Sequence, residues 1–116
     1  MPKFVIFFSF KPETVAAMIE SPDNRIDAVR RLVEAAHGKL ETYYWMQGKF
    51  DGLVIAEAPN AMGANAVSLA VTSSGAFSHV ETHELIEPGD IVPLLAQAKD
   101  VRSQYRPPGK TPASVN

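Results

Sequence analysis

Three clusters of residues have types and spacings that could do chemistry. The first is His79-Val80-Glu81-Thr82-His83. In an extended chain His79, Glu81 and His83 share one face, with neighbours about 6.5–7 Å apart. Two of the three could chelate one ion, but His79 and His83, about 13 Å apart, cannot share one without help. A His/Glu pair suits zinc, iron or nickel and needs a third ligand from elsewhere. Facing an interior, the same groups become acids and bases near neutral pH. The shortage of a third ligand favours reading them as a solvated or pocket-lining polar face.

The second cluster is Gly48-Lys49-Phe50-Asp51-Gly52. Asp51 could be a general base or a polar anchor at a pocket rim. A hairpin turn accounts for the same residues: Gly for positive φ, Asp for a side-chain-to-backbone bond, Phe50 for packing. The third cluster is Tyr43-Tyr44-Trp45. Tyr43 and Trp45 fall on one strand face and Tyr44 on the other. They are either packing aromatics or a wall for a flat organic ligand. His37, the remaining histidine, sits beside Gly38 and reads as a helix C-terminal residue favoured by the dipole when protonated.

Other chemistry is excluded by what the chain lacks. It has no cysteine, which removes disulfides, thiolate catalysis and zinc fingers. There is no Gly-rich phosphate loop, no G-x-S-x-G elbow and no H-E-x-x-H helix. Eleven Lys+Arg against thirteen Asp+Glu give a net charge of -2, which argues against a nucleic-acid binder. The basic residues Lys99, Arg102, Arg106 and Lys110 lack the interleaved aromatics of a strand-binding groove. Ala58 to Val80 carries no charged residue, yet Asn60, Asn65, Ser68 and Thr72 punctuate it, so it reads as helix, loop and strand. No export signal is evident, and a cytoplasmic location without a membrane partner is expected.

The elements that position these clusters follow from the hydrophobic pattern. Lys3–Phe10 is a strand with Phe4, Ile6, Phe8 and Phe10 on one face and Val5 and Phe7 on the other, so both faces need cover. Pro12 opens a helical stretch over Glu13–Glu20. Ser21-Pro22 reads as an N-cap for a second helical piece carrying Ile26, Val29, Leu32, Val33 and Ala36, possible as one kinked helix with the first. Gly38 suits the left-handed position beyond it. Lys39–Gln47 is strand two and Leu53–Glu57 strand three, joined by the Asp-Gly turn. Asn60 caps a thin, Ala-rich helix over Ala61–Thr72, and Phe77–Ile86 is strand four. After the stop at Pro88-Gly89, apolar residues from Ile91 to Tyr105 recur at helical spacing. This third helix would wrap its own domain or reach a partner subunit. The expected organisation is a domain over 1–88, a helix over 89–105 and a disordered tail over 106–116.

The order β-α-β-β-α-β is ferredoxin-like α+β, with a four-stranded antiparallel sheet. Two helices cover one face of such a sheet. A second copy of the same sheet is the cheapest cover for the other, giving a dimeric α+β barrel.

The run Tyr44-Trp45-Met46-Gln47-Gly48-Lys49-Phe50-Asp51-Gly52, followed by an apolar strand, resembles the GYD-domain family of small bacterial proteins. That family carries Gly-x-Tyr-Asp after a tryptophan-bearing strand. Gly48 and Asp51 match, whereas Phe50 stands where the family has tyrosine, so a role needing a phenol hydroxyl there has none to use. The opening strand, the helix ending in Gly38-Lys39-Leu40, and Glu81-Thr82 extend the likeness over roughly residues 2–87. The third helix falls outside it. The family is similar to the dimeric α+β barrel superfamily, which includes cofactor-independent monooxygenases, haem-degrading enzymes, chlorite dismutases and stress-response proteins. The resemblance implies the fold and a small-molecule site between helices and sheet or between paired sheets.

The first functional expectation is a homodimer, or a higher oligomer, that binds a small organic molecule and needs no cofactor. Tyr43, Trp45, Phe50 and Glu81 are its candidate ligand contacts. The alternative is a cofactor-independent monooxygenase or isomerase, with Trp45 holding substrate and Asp51, His79 or His83 as acid/base. A further alternative is metal or haem binding through His79 or His83.

Overall fold

The computed structural model describes residues 1–109. In chain order the elements are β1 (Lys3–Phe10), α1 (Pro12–Glu20), α2 (Ile26–Ala35), β2 (Lys39–Trp45), β3 (Gly52–Glu57), α3 (Ala61–Ser73) and β4 (Phe77–Glu84). A 3-10 turn (Pro88–Asp90) and α4 (Ile91–Arg102) follow. The strands form one antiparallel sheet in the order β2-β3-β1-β4. With helical crossovers after β1 and β3, this is the expected ferredoxin-like α+β fold.

The register fixes which side chains share a face. Phe8 lies opposite Val80, and Ile6 opposite Val54 and Thr82. These point toward the helices, where Phe8, Val33, Val54 and Ala56 form one buried cluster and Phe4, Ala58 and Ala64 a second. Phe7 lies between Leu53 and Glu81, and Val5 between Ile55 and His83, on the second face.

The break between α1 and α2 differs from the expected cap. Ser21 ends α1, its N–H donating to the Ala17 carbonyl at 3.0 Å, and does not start α2. The proline at position 22 disfavours helical backbone at the residue before it, so the chain leaves the helix at Ser21. The Asn24 side chain then accepts from the Ile26 N–H at 3.1 Å, and two separate helices result.

The far end of α2 also departs from expectation. His37, not Gly38, takes the left-handed backbone, with φ 62. The His37 N–H donates to Glu34 O at 2.9 Å and the Gly38 N–H to Val33 O at 3.0 Å, the paired bonds of a Schellman close. Gly38 is needed for a different reason. A Cβ there would sit 2.3 Å from the Glu57 carbonyl oxygen on β3.

β2 stops at Trp45, two residues short of the expected Gln47. There the Met46 N–H donates to Asp51 O at 2.8 Å and the chain turns, with Gly48 at φ 133. Asn60 caps α3 as expected, its side chain accepting from the Gly63 N–H at 2.9 Å. The small residues of α3 bring Ala64 and Val67 into burial, and Ser68 and Thr82 join it to β4 through their hydroxyls. β4 ends at Glu84 and not at Ile86. One more bond, from the Leu85 N–H to Lys3 O at 2.8 Å, precedes the departure of the chain.

The chain divides into two compact units, Met1–Leu85 and the remainder from Ile86. In the second unit α4 ends at Arg102, short of Tyr105, with Lys99 and Arg102 in its last turn, where the helix dipole favours cations. Residues 103–109 form turns and irregular chain. Residues 110–116 of the expected tail lie outside the described residues. Among the described residues no helix is long and apolar enough to cross a membrane.

Candidate functional site

The register separates the sequence-derived candidates onto two faces of the sheet. Tyr43 lies opposite Val54 and Trp45 opposite Gly52, on the helix side. Trp45 stacks on Phe10 with ring centroids 5.9 Å apart and lies 5.5 Å from Tyr43. Phe10 in turn stacks on Phe77 at 4.6 Å, and Phe8 packs edge-on to Tyr43 at 5.8 Å. Gly52 makes room for this assembly, because a Cβ there would meet the Phe8 ring at 2.5 Å.

Against the Phe8, Phe10, Tyr43 and Phe77 rings, but not Trp45, is a cavity of about 510 Å³. Ile6, Phe8, Phe10 and Phe77 supply its floor, and Met18, Val29, Leu32 and Val71 its walls. Its polar lining is sparse. The Thr14 hydroxyl is committed to the Ala76 carbonyl at 2.8 Å, and the Ser74 hydroxyl to Val71 O at 2.6 Å. Ser21, Asp23, Arg25 and Tyr43 complete it. Arg25 and Asp23 form a long ion pair of 3.7 Å. Burial pushes the Tyr43 phenol up to about 12, partly countered by the positive charge of Arg25. The phenol is therefore neutral, a hydrogen-bond donor over the whole physiological range.

The second face carries the other cluster. His79 Nε2 lies 3.2 Å from one Glu81 oxygen and His83 Nε2 3.6 Å from the other. The hydrogen bond from His79 holds the Glu81 carboxyl below the usual glutamate range, with His83 and the charge of Lys49 assisting against partial desolvation. Phe50 stacks on His79 at 5.9 Å and packs on Phe7 at 5.2 Å, while Lys49 Nζ lies 5.3 Å from the Phe50 ring centre. His79, Glu81 and His83 do share one face, as their spacing requires. Among the described residues no group of three or more His, Cys, Asp or Glu side chains is arranged to hold a metal ion.

Asp51 lies between these settings. Its Oδ2 accepts from the Phe10 N–H at 2.7 Å, and its own N–H donates to Phe8 O at 2.8 Å. The carboxylate thus pins the loop to the end of β1. The Ser9 hydroxyl, donating to Lys49 O at 2.7 Å, adds a second tie.

The structure therefore brings Phe50, Glu81, His79 and His83 together and sets Tyr43 and Trp45 apart from them across the sheet. Within one protomer, a molecule held against Trp45 cannot reach His79 or His83. The cavity residues supplied by the helices were missed by sequence reasoning, Arg25 above all. The one local signal for Arg25 is its position at the start of α2, where the helix dipole disfavours a cation.

No curated protein matches the sequence. Among solved structures, 30S ribosomal protein S6 from Thermotoga maritima is similar with a TM-score of 0.50 at 12% identity, over 84% of this chain and 97% of that one. MtbAldR is similar with a TM-score of 0.52 at 10% identity, over 96% of this chain. The chain spans 58% of the length of MtbAldR. At such identities the likeness shows the fold alone. The model of the GYD domain matches residues 4–95, past β4 and into the first residues of α4, further than the sequence resemblance reached. With that match over most of its length, on a ferredoxin-like sheet whose β2–β3 loop is pinned by Asp51, the chain belongs to the GYD domain family.

Proposed function

We propose that this protein is a homodimer that binds a small organic molecule between its sheet and its helices. The observation that carries the reading is the cavity of about 510 Å³, floored by aromatic rings. Its volume falls within the roughly 300–1,000 Å³ common for ligand pockets, and its predominantly apolar lining with few polar groups is the usual composition. Dimerisation is supported by the second face. Tyr44 is 63% exposed there, and the half-buried Phe7, Leu53 and Ile55 accompany it. No helix of the Met1–Leu85 unit covers this apolar surface, and a second copy of the same face would bury it isologously.

Native mass spectrometry of the untagged protein tests both parts. The expected result is twice the chain mass plus the mass of a bound compound. The Val71→Phe variant, which fills the cavity, is expected to keep the dimer and lose the compound. A monomer would overturn the dimer. An equally loaded Val71→Phe protein would overturn the cavity as the binding site.

A further inference from the structure

We infer that the cavity selects a flat apolar molecule bearing one anionic oxygen group, held at the Arg25–Tyr43 end; this rests on the cavity being the binding site. The carboxylate is the simplest group of that chemistry.

The inference comes from counting which polar groups are free to meet a ligand. The Thr14 and Ser74 hydroxyls are spent on backbone carbonyls. Tyr43 lines the cavity, and its hydroxyl, with a proton to donate, makes no hydrogen bond within the described residues. Arg25 carries five N–H donors in a planar fork, and its ion pair with Asp23 uses one nitrogen at a separation of 3.7 Å. That distance is beyond a good charge-assisted bond of about 2.7–2.9 Å, so most of the guanidinium's capacity is unspent. Ser21, which also lines the cavity, has a hydroxyl that can donate or accept, so the strongest uncommitted groups at this end are the donors of Arg25 and Tyr43.

Asp23 is the one carboxylate lining the cavity, and it could repel an anion. Its side chain is 60% exposed against 43% for Arg25, so water answers more of the carboxylate's charge than of the guanidinium's. The field that reaches the Tyr43 hydroxyl is that of Arg25. A ligand carboxylate placed there would take the fork that Asp23 meets only loosely. Its ring system would lie against the Phe8, Phe10 and Phe77 rings where they line the cavity. Specificity at the polar end thus comes from two donors carried by different elements, the α1–α2 loop and β2.

The test uses two probes of one shape, naphthalene-2-carboxylate and naphthalene-2-carboxamide, titrated into the full-length protein at neutral pH by isothermal calorimetry. The carboxylate is expected to bind about tenfold more tightly than the amide, the gain of a charge-assisted contact over a neutral one. Arg25→Gln should erase that preference by weakening the carboxylate far more than the amide, with the fold verified by circular dichroism. Tyr43→Phe should weaken both probes, since both offer an acceptor oxygen. Equal affinities in the wild type, or a preference that survives Arg25→Gln, would overturn the anion selectivity while leaving the cavity as a site. Failure of both probes to bind, with Val71→Phe indistinguishable from wild type, would overturn the cavity reading itself.

Discussion

The two faces of the sheet are built from alternate residues of the same strands, yet they hold themselves together differently. The helix face is an apolar interior: Phe8 touches Phe10, Tyr43, Trp45 and Phe77, and it lines the cavity. The second face mixes rings with charge: Phe7 and Phe50 meet His79 and His83, and both histidines turn to Glu81. Burial dominates on the first face, while the second relies on contacts that water competes for. A strand can serve both because side chains alternate while the backbone ladder is shared.

The largest predicted effect contrasts adjacent residues. Phe8→Ala should cost about 3–5 kcal/mol in denaturant unfolding, independent of protein concentration, because its partners lie in the same chain. Phe7→Ala should cost less in dilute protein and progressively more as concentration rises, because a second copy completes its surroundings. A concentration-independent penalty for Phe7→Ala would remove the dimer from the comparison.

A smaller effect sharpens the boundary between the faces. Asp51→Ala strands the Phe10 N–H and should cost about 1.5 to 3 kcal/mol, the range for a hydrogen bond to a charged group. Asp51→Asn, which keeps an acceptor, should recover much of it. Equal losses in the two variants would show that the charge, not the bond, matters.

The smallest effects are in pH. The Tyr43 pKa is raised, so its stabilising contribution is complete below the ordinary tyrosine value of 10.0 and is lost as pH rises toward about 12. Tyr43→Phe should flatten that alkaline limb of the stability curve. Glu81 has the opposite sign: its lowered pKa gives a contribution present above the ordinary glutamate range and lost as pH falls through the folded value. Glu81→Gln should flatten the acid limb. Unchanged limbs in both variants would mean that neither Tyr43 nor Glu81 shapes the pH dependence of stability.

The strand faces were legible in the sequence because period-two alternation in Lys3–Phe10 and His79–His83 depends only on local geometry. The Asn60 cap was legible for the same reason, whereas Asp51-Gly52, read as the turn itself, lies at the start of β3: the positive φ belongs to Gly48, and the Asp51 carboxylate binds the Phe10 N–H on β1. What was lost involved competition between neighbours. Ser21 and Pro22 resembled a start signal, but the constraint that proline places on the preceding residue made Ser21 an ending. Gly38 was expected to supply left-handed backbone, yet its service is to a strand distant in sequence, and His37 bends instead. The cavity was illegible because its walls come from α1, α2 and α3 and its donors from two more segments. No spacing rule connects Arg25 to Tyr43. Nor does the pairing of Trp45 with histidines as one catalytic set survive the register, which places them on opposite sides.

The sheet order has a consequence for how the chain is made. β1 lies between β3 and β4, and of the sheet's four strands β4 is the last to leave the ribosome. The phenylalanine-rich β1 therefore emerges first and waits, one long edge unpaired, until every other strand has appeared. Its register cannot be finished by local folding, so the domain closes late and as a unit. Nascent chains stalled before Phe77 are expected to be the aggregation-prone species, and a chaperone that shields Phe4–Phe8 would meet its client there.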